Sequence, residues 1–194
     1  MSYFNQTVEV DSTFKWSDRL DFFKDYISDK NILHVGCLDY PITNTKNNLH
    51  LQMSLLCKSI DGFDINFDDE TKQLLTVPNG DLYNDWSQVT KKYDVVLVPA
   101  VIEHVDNVQL FLEQLSQIDC DVMIITAPDI FSFKKEQLKH VDGNTWIEVV
   151  HPDHNCWYSP YTLKNTIFKF LKTHNVKSLH WVLGCVGAVC VKNS

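Results

Sequence analysis

Residues 93–107 read YDVVLVPAVIEHVDN. From Val95 to Val98 every side chain is apolar, with no alternation. Such a run predicts a strand covered on both faces, the kind found in parallel sheets with helices on either side. It stops at Pro99-Ala100, and a polar pair, Glu103 and His104, stands at the junction with the next periodic segment. There, Val108, Phe111, Leu112, Leu115 and Ile118 recur on one helical face. DVMIITAP, residues 121–128, is a second continuous apolar run. Strand, helix and strand in this order predict a parallel crossover unit.

The same alternation extends toward the N-terminus. Residues 14–29 carry Phe14, Leu20, Phe22, Phe23, Tyr26 and Ile27 among charges and predict an amphipathic helix. NILHVGCLDYPIT, 31–43, opens with a strand over 31–36 that ends in Gly36. A helix over 48–59 follows, then a strand over 60–65 (IDGFDI), a short helix over 67–76, and a brief strand or turn near Val77. DWSQVTKK is a helical turn with Asp85 as its cap. Toward the C-terminus, residues 129–158 are irregular and rich in aromatics and histidines, among them Phe131, Phe133, Trp146, Trp157 and Tyr158. They predict an insertion that acts as a lid or shapes an acceptor pocket. Ser159 caps a helix that runs to about His174, and VKSLHWVLGCVGAVCVKN forms two strands around Gly184.

A chain of 194 residues with 44% hydrophobic and 22% charged side chains is read as one domain, 1–194, with an N-terminal helical segment over 1–29. A net charge of −8 disfavours sequence-independent binding of nucleic acid. None of the six cysteines forms a CxxC pair, so no metal ligands are expected from them. The N-terminus lacks the basic start and apolar core of a signal peptide, and no apolar run approaches a membrane span. The expectation is a cytoplasmic protein without a membrane segment.

Ligands of such sheets bind at the carboxyl ends of the strands. At those ends stand Gly36-Cys37-Leu38-Asp39, then Asp64-Ile65, then Asp81-Leu82 in GDLYND, and Glu103-His104. Each has a plainer reading: a glycine can simply end a strand, an aspartate can cap a helix, and Glu103 and His104 can be solvated loop residues. His34 lies inside an apolar strand, where a histidine is ordinarily structural.

The segments ILHVGCLD, IDGFDIN, GDLYN and YDVVLVPAVIEHVDN, in that order, resemble the motifs of class I S-adenosylmethionine-dependent methyltransferases. The last resembles the branch with a Glu-His-Val pattern. VMIITAPD and HPDHNCWYSPYTL resemble its fifth-strand segment and the stretch before its last long helix. The resemblance covers about residues 30–192 and implies an α/β Rossmann-like sheet of seven strands, order 3-2-1-4-5-7-6, with strand 7 antiparallel and helices on both faces. It also implies S-adenosylmethionine as cofactor and S-adenosylhomocysteine as product. By position, Gly36, Cys37 and Leu38 line the methionine portion, with His34 also among the cofactor-binding positions, Asp64 holds the ribose, and Ile65 and Leu82 face the adenine. Asp81 accepts from the adenine amino group, and Ala100 approaches the sulfonium. The sequence departs from the pattern at three places. His34 stands where the family has an acidic residue, and Leu38 and Tyr40 replace the second and third glycines.

The implied chemistry is methyl transfer to an oxygen or nitrogen of a small-molecule or glycan acceptor. His104 is the first candidate base, and His151 and His154 follow. Two other readings stand beside it. A metal-dependent RNA 2′-O-methyltransferase resembles this chain at Glu103, His104 and His154, but Ala100 occupies the place of a carboxylate ligand. A non-catalytic module with a degenerate cofactor loop accounts for the lost glycines. No metal is assigned.

Overall fold

The computed structural model describes residues 5–39, 44–132 and 137–193; Tyr40 and Phe133 fall outside them. Nine strands are described: β1 Asn31–Val35, β2 Ser59–Phe63, β3 Leu82–Tyr83, β4 Tyr93–Pro99, β5 Cys120–Pro128, β6 Leu138–His140, β7 Trp146–Glu148, β8 His174–Val182 and β9 Cys185–Lys192. Five α-helices accompany them: α1 Arg19–Ile27, α2 Leu49–Met53, α3 Asp69–Leu75, α4 Val108–Leu115 and α5 Pro160–Phe170. Seven strands form one sheet in the order β3-β2-β1-β4-β5-β9-β8. All neighbours are parallel except β9, which is antiparallel to both β5 and β8. This is the expected order, with β8 and β9 as the closing hairpin.

The period of two in a strand sends alternate residues to opposite faces. In β1, Leu33 and Val35 join Val96 and Val98 of β4 and the apolar stripes of α4 and α5. Ile32, Val95 and Leu97 join the other layer with Phe22, Phe23 and Ile27 of α1 and Met53 of α2. Both sets are buried, so the central strands carry no polar face. Truncating a fully buried leucine such as Leu33 to alanine costs about 2–5 kcal/mol.

Local capping sets where the helices begin. Asp18 accepts from the Leu20 amide, so α1 starts at Arg19 rather than near residue 14. Asn48, Asp68, Asn107 and Ser159 cap α2, α3, α4 and α5. Each such cap is worth about 1 kcal/mol.

Three expected boundaries are corrected. First, α2 is one short helix, not a segment reaching residue 59. Second, α5 stops at Phe170, because His174 is already buried in β8, where its Nε2 lies 3.2 Å from the Cys120 carbonyl. Third, the strand expected near Val77 lies at Leu82–Tyr83. Gly80 explains that shift. A β-carbon there would collide with the Ile60 carbonyl, so glycine lets the chain run tightly along β2. The amides of Ile60, Gly62 and Asp64 donate to the carbonyls of Asn79, Asp81 and Tyr83 in turn.

The 129–158 stretch is less irregular than expected. It contains the antiparallel β6–β7 hairpin, with Lys139 opposite Ile147. Its base is closed by a bridge between Asp129 and Tyr158, and the Trp157 indole N–H donates to Glu148. No helix among the described residues is long and apolar enough to cross a membrane.

Candidate functional site

A cavity of about 950 Å³ opens at the carboxyl ends of β1, β2, β4 and β5. Its floor is the turn after β1. Gly36 adopts φ +75°, and its amide donates to the Phe63 carbonyl at 2.8 Å. Val101 packs where a Gly36 β-carbon would stand. Glycine is therefore required here twice, by backbone conformation and by space. Asp39 and Ala100, also at positive φ (54° and 53°), line the same cavity. The Ala100 amide is held by the Thr126 carbonyl at 3.0 Å and its hydroxyl at 3.2 Å.

Cys37 and Leu38 do not line the cavity. Both side chains are fully buried in a small cluster with Phe67 and Leu75. The bulk that replaces a family glycine at Leu38 is thus directed into the core and leaves the cavity open.

Asp64 ends the chain's second strand region and lines the cavity. Its Oδ2 accepts from the Leu38 amide at 3.1 Å, and its Oδ1 from the Asn66 amide at 3.0 Å. Burial raises its pKa, opposed by those two amides. A carboxylate has about four acceptor positions, so each oxygen retains one for a further donor. Ile65 stands at the rim, 74% exposed.

The structure moves the next expected pair elsewhere. Asp81 precedes β3 instead of following it, and its Oδ2 accepts from Lys91 Nζ at 2.7 Å. Leu82 packs against the Cys37–Leu38 cluster. Neither lines the cavity. Their place is taken by Trp86, which stacks on Phe63 with ring centroids 3.7 Å apart. The residue is displaced because β3 starts five residues later than expected, so its carboxyl-end loop is Asn84-Asp85-Trp86.

His34 is also outside the cavity. Its ring is buried against α2 and stacks on His50 at 5.6 Å. Neither imidazole has a hydrogen-bond partner, and burial holds both pKa values down, His50 at about 4.

The opposite wall is built from the segment after β4. Glu103 is 1% exposed, yet neither carboxylate oxygen has a hydrogen-bond partner. Burial pushes its pKa up to about 7, opposed first by its own backbone N–H and then by the positive charge of Arg19. His104 Nε2 lies 3.9 Å from Glu103 Oε1. His151 and His154 come to the same place, with His104 and His154 ring centroids 4.6 Å apart. Burial lowers the pKa of both His104 and His154.

Arg19 went unnoticed in the sequence because α1 reads as an ordinary amphipathic helix. It is the chain's one arginine, and it sits at the start of α1 in the cavity wall. It is the sole Lys or Arg among the described lining residues, against the carboxylates of Asp39, Asp64, Glu103, Asp106 and Asp153.

Of the sequence-derived candidates, Gly36, Asp64, Ile65, Ala100, Glu103, His104, His151 and His154 are thus gathered on one cavity.

No family profile matches the sequence, and no curated protein matches it. Solved structures do match. One is an S-adenosylmethionine-dependent methyltransferase from Aquifex aeolicus, with TM-score 0.60 and 11% identity, covering 90% of this chain and 88% of that one. Another is magnesium protoporphyrin IX methyltransferase from Synechocystis PCC 6803 with bound SAH, with TM-score 0.53 and 13% identity, covering 90% and 78%. A third is a chain of the Pnkp1/Rnl/Hen1 RNA repair complex, with TM-score 0.59 and 15% identity, covering 95% of this chain but 43% of that one. At these identities the likeness is one of fold: the chain has the class I methyltransferase architecture.

Proposed function

We propose that the chain is an S-adenosylmethionine-dependent methyltransferase acting on an oxygen or nitrogen nucleophile of a small-molecule or glycan acceptor. One observation carries this reading. The glycine-poor loop leaves its cavity open, because Leu38 is buried away from it while Gly36 and Asp64 stay at the strand ends.

The residues present fit the cofactor. Asp64 has free acceptor positions for the ribose hydroxyls. Ile65 and Trp86 offer apolar faces to the adenine. The Gly36 turn admits the methionine portion without a side chain in the way. Arg19 makes no hydrogen bond or ion pair among the described residues, so its guanidinium is available to the methionine carboxylate. When bound, the cofactor supplies an electrophilic methyl carbon.

The chain's own residues then align the nucleophile and exclude water. Glu103, buried with both oxygens unpartnered, accepts the acceptor's proton. His104 and His154 hold the acceptor beside it. Six free cysteines suit a reducing compartment, and we place the protein in the cytoplasm.

The RNA 2′-O-methyltransferase reading draws support from the proximity of Glu103, His104 and His154. A cavity with one arginine among five carboxylates is poorly suited to a phosphate backbone, and the small-molecule reading is preferred.

Calorimetry with S-adenosylmethionine and S-adenosylhomocysteine tests the proposal. Micromolar binding that weakens at least about tenfold in Asp64→Ala is the expected result. A folded protein that binds neither compound at millimolar concentration would overturn it and leave the non-catalytic module in its place.

A further inference from the structure

We propose that His104, His151 and His154 form a binding site for one divalent first-row transition ion on the acceptor wall of the cleft, with Glu103 facing it. One ring nitrogen from each histidine lies within 4.8 Å of the other two. A tetrahedral ion bound at about 2.0–2.1 Å separates its nitrogens by roughly 3.3 Å. Small side-chain rotations close that gap.

The site is built, and does not arise from three histidines that happen to be exposed. His151 and His154 lie on one turn, closed by the His154 amide donating to the His151 carbonyl at 3.1 Å. That turn is fastened to the segment after β4. The Asn155 amide donates to the Glu103 carbonyl at 2.8 Å, and its side-chain amide donates to the His104 carbonyl at 3.0 Å. The Asp153 carboxylate lies 3.8 Å from His151 Nδ1, placed to accept that nitrogen's N–H and leave Nε2 free as the ligand atom.

Two independent observations point to a cation. Glu103 is a carboxylate buried to 1% exposure, with neither oxygen hydrogen-bonded and one of them 3.9 Å from His104 Nε2. Ionising a carboxyl buried without a hydrogen-bonding side chain is costly, and a bound cation offsets that cost. His154 Nδ1 is likewise buried without a partner. Three imidazoles select Zn²⁺, Co²⁺, Fe²⁺ or Ni²⁺ over Mg²⁺ and Ca²⁺, which require oxygen donors. Three protein ligands leave a coordination position open, as in catalytic rather than structural sites. An acceptor oxygen bound there would be polarised beside Glu103.

Binding of the ion does not depend on the methyl-transfer reading, so the test uses the full chain without cofactor. Co²⁺ is titrated in, its visible absorption is recorded, and Zn²⁺ is then added as competitor. The expected result is one Co²⁺ per chain at micromolar affinity, displaced by Zn²⁺ and not by Mg²⁺. His151→Ala and His154→Ala each weaken binding at least about tenfold, while His140→Ala, on the exposed hairpin, leaves it unchanged. His151 is itself half exposed, so its removal does not threaten folding. Affinity weaker than about 1 mM, or binding that survives both substitutions, would overturn the site.

Discussion

Val101 packs its Cγ2 against the face of Gly36 where a β-carbon would stand. The two residues join the turn after β1 to the segment after β4, and both line the cavity. Gly36→Ala meets Val101 and also places an alanine at φ +75°, a conformation that L residues adopt at a cost of about 1 kcal/mol or more. The substitution is expected to lower stability by about 2–4 kcal/mol in total. Val101→Ala in the same chain should restore the part due to the clash and leave the part due to φ. Urea unfolding of the single and double variants separates the two. Equal midpoints for Gly36→Ala with and without Val101→Ala would show that space is not limiting.

Arg19 supplies a second prediction. Its guanidinium is the cavity's one Lys or Arg among the described residues. If it binds the methionine carboxylate, Arg19→Ala should weaken S-adenosylhomocysteine binding by about 1.5–3 kcal/mol, or roughly 10–150-fold. Adenosine, which lacks the carboxylate, should lose little. A variant that loses affinity equally for both ligands would place Arg19 in a structural role instead.

The sheet was legible because the continuous apolar runs at 93–98 and 121–128 have only one reading, as strands buried on both faces. The strand ends, and with them Gly36, Asp64 and Ala100, followed from that. Three things were not legible, each for a physical reason. β3 is only two residues long, and its position is set by the close approach of Gly80 to the Ile60 carbonyl. Propensity near Val77 carries no trace of that contact, so Asp81 and Leu82 were expected at the cavity, whose lining includes Trp86 in their place. The direction of Leu38 depends on Phe67 and Leu75 closing over it, which is tertiary packing. The grouping of His151 with His104 rests on the Asn155 hydrogen bonds between segments 51 residues apart.

The His34–His50 pair makes stability depend on pH. Both rings are buried without hydrogen-bond partners, and burial favours their neutral forms. His50 is held at about 4 against 6.5 for an unfolded chain, although nearby Asp61 opposes the shift. Between those values the unfolded chain binds more protons than the native one. The stabilisation is therefore complete above about pH 6.5 and is lost as pH falls toward 4. His50 alone should remove about 2 kcal/mol between pH 7 and pH 5. His34, held well below the usual histidine range by burial and then by the charges of His50 and Arg19, adds to this. Urea midpoints at the two pH values check the effect, and His50→Phe should flatten it. A midpoint unchanged between pH 7 and pH 5 would contradict the buried neutral pair.

Asn155 gives a prediction that separates the two walls of the cleft. Its side chain donates to the His104 carbonyl, while its backbone amide donates to Glu103. Asn155→Ala removes the first bond and keeps the second, so the histidine turn remains attached but loses one restraint. A single hydrogen bond of this kind is worth about 1 kcal/mol. The metal affinity of the three histidines should accordingly fall by roughly fivefold. The wall proposed for the cofactor, with Gly36, Asp64 and Trp86, is built from other segments, and S-adenosylhomocysteine affinity should not change. Co²⁺ titration and calorimetry on the same preparation read both quantities. Parallel losses would mean that the turn supports the whole cleft. A loss confined to Co²⁺ would establish the histidine wall as a unit held together by Asn155, separate from the residues proposed to receive the cofactor.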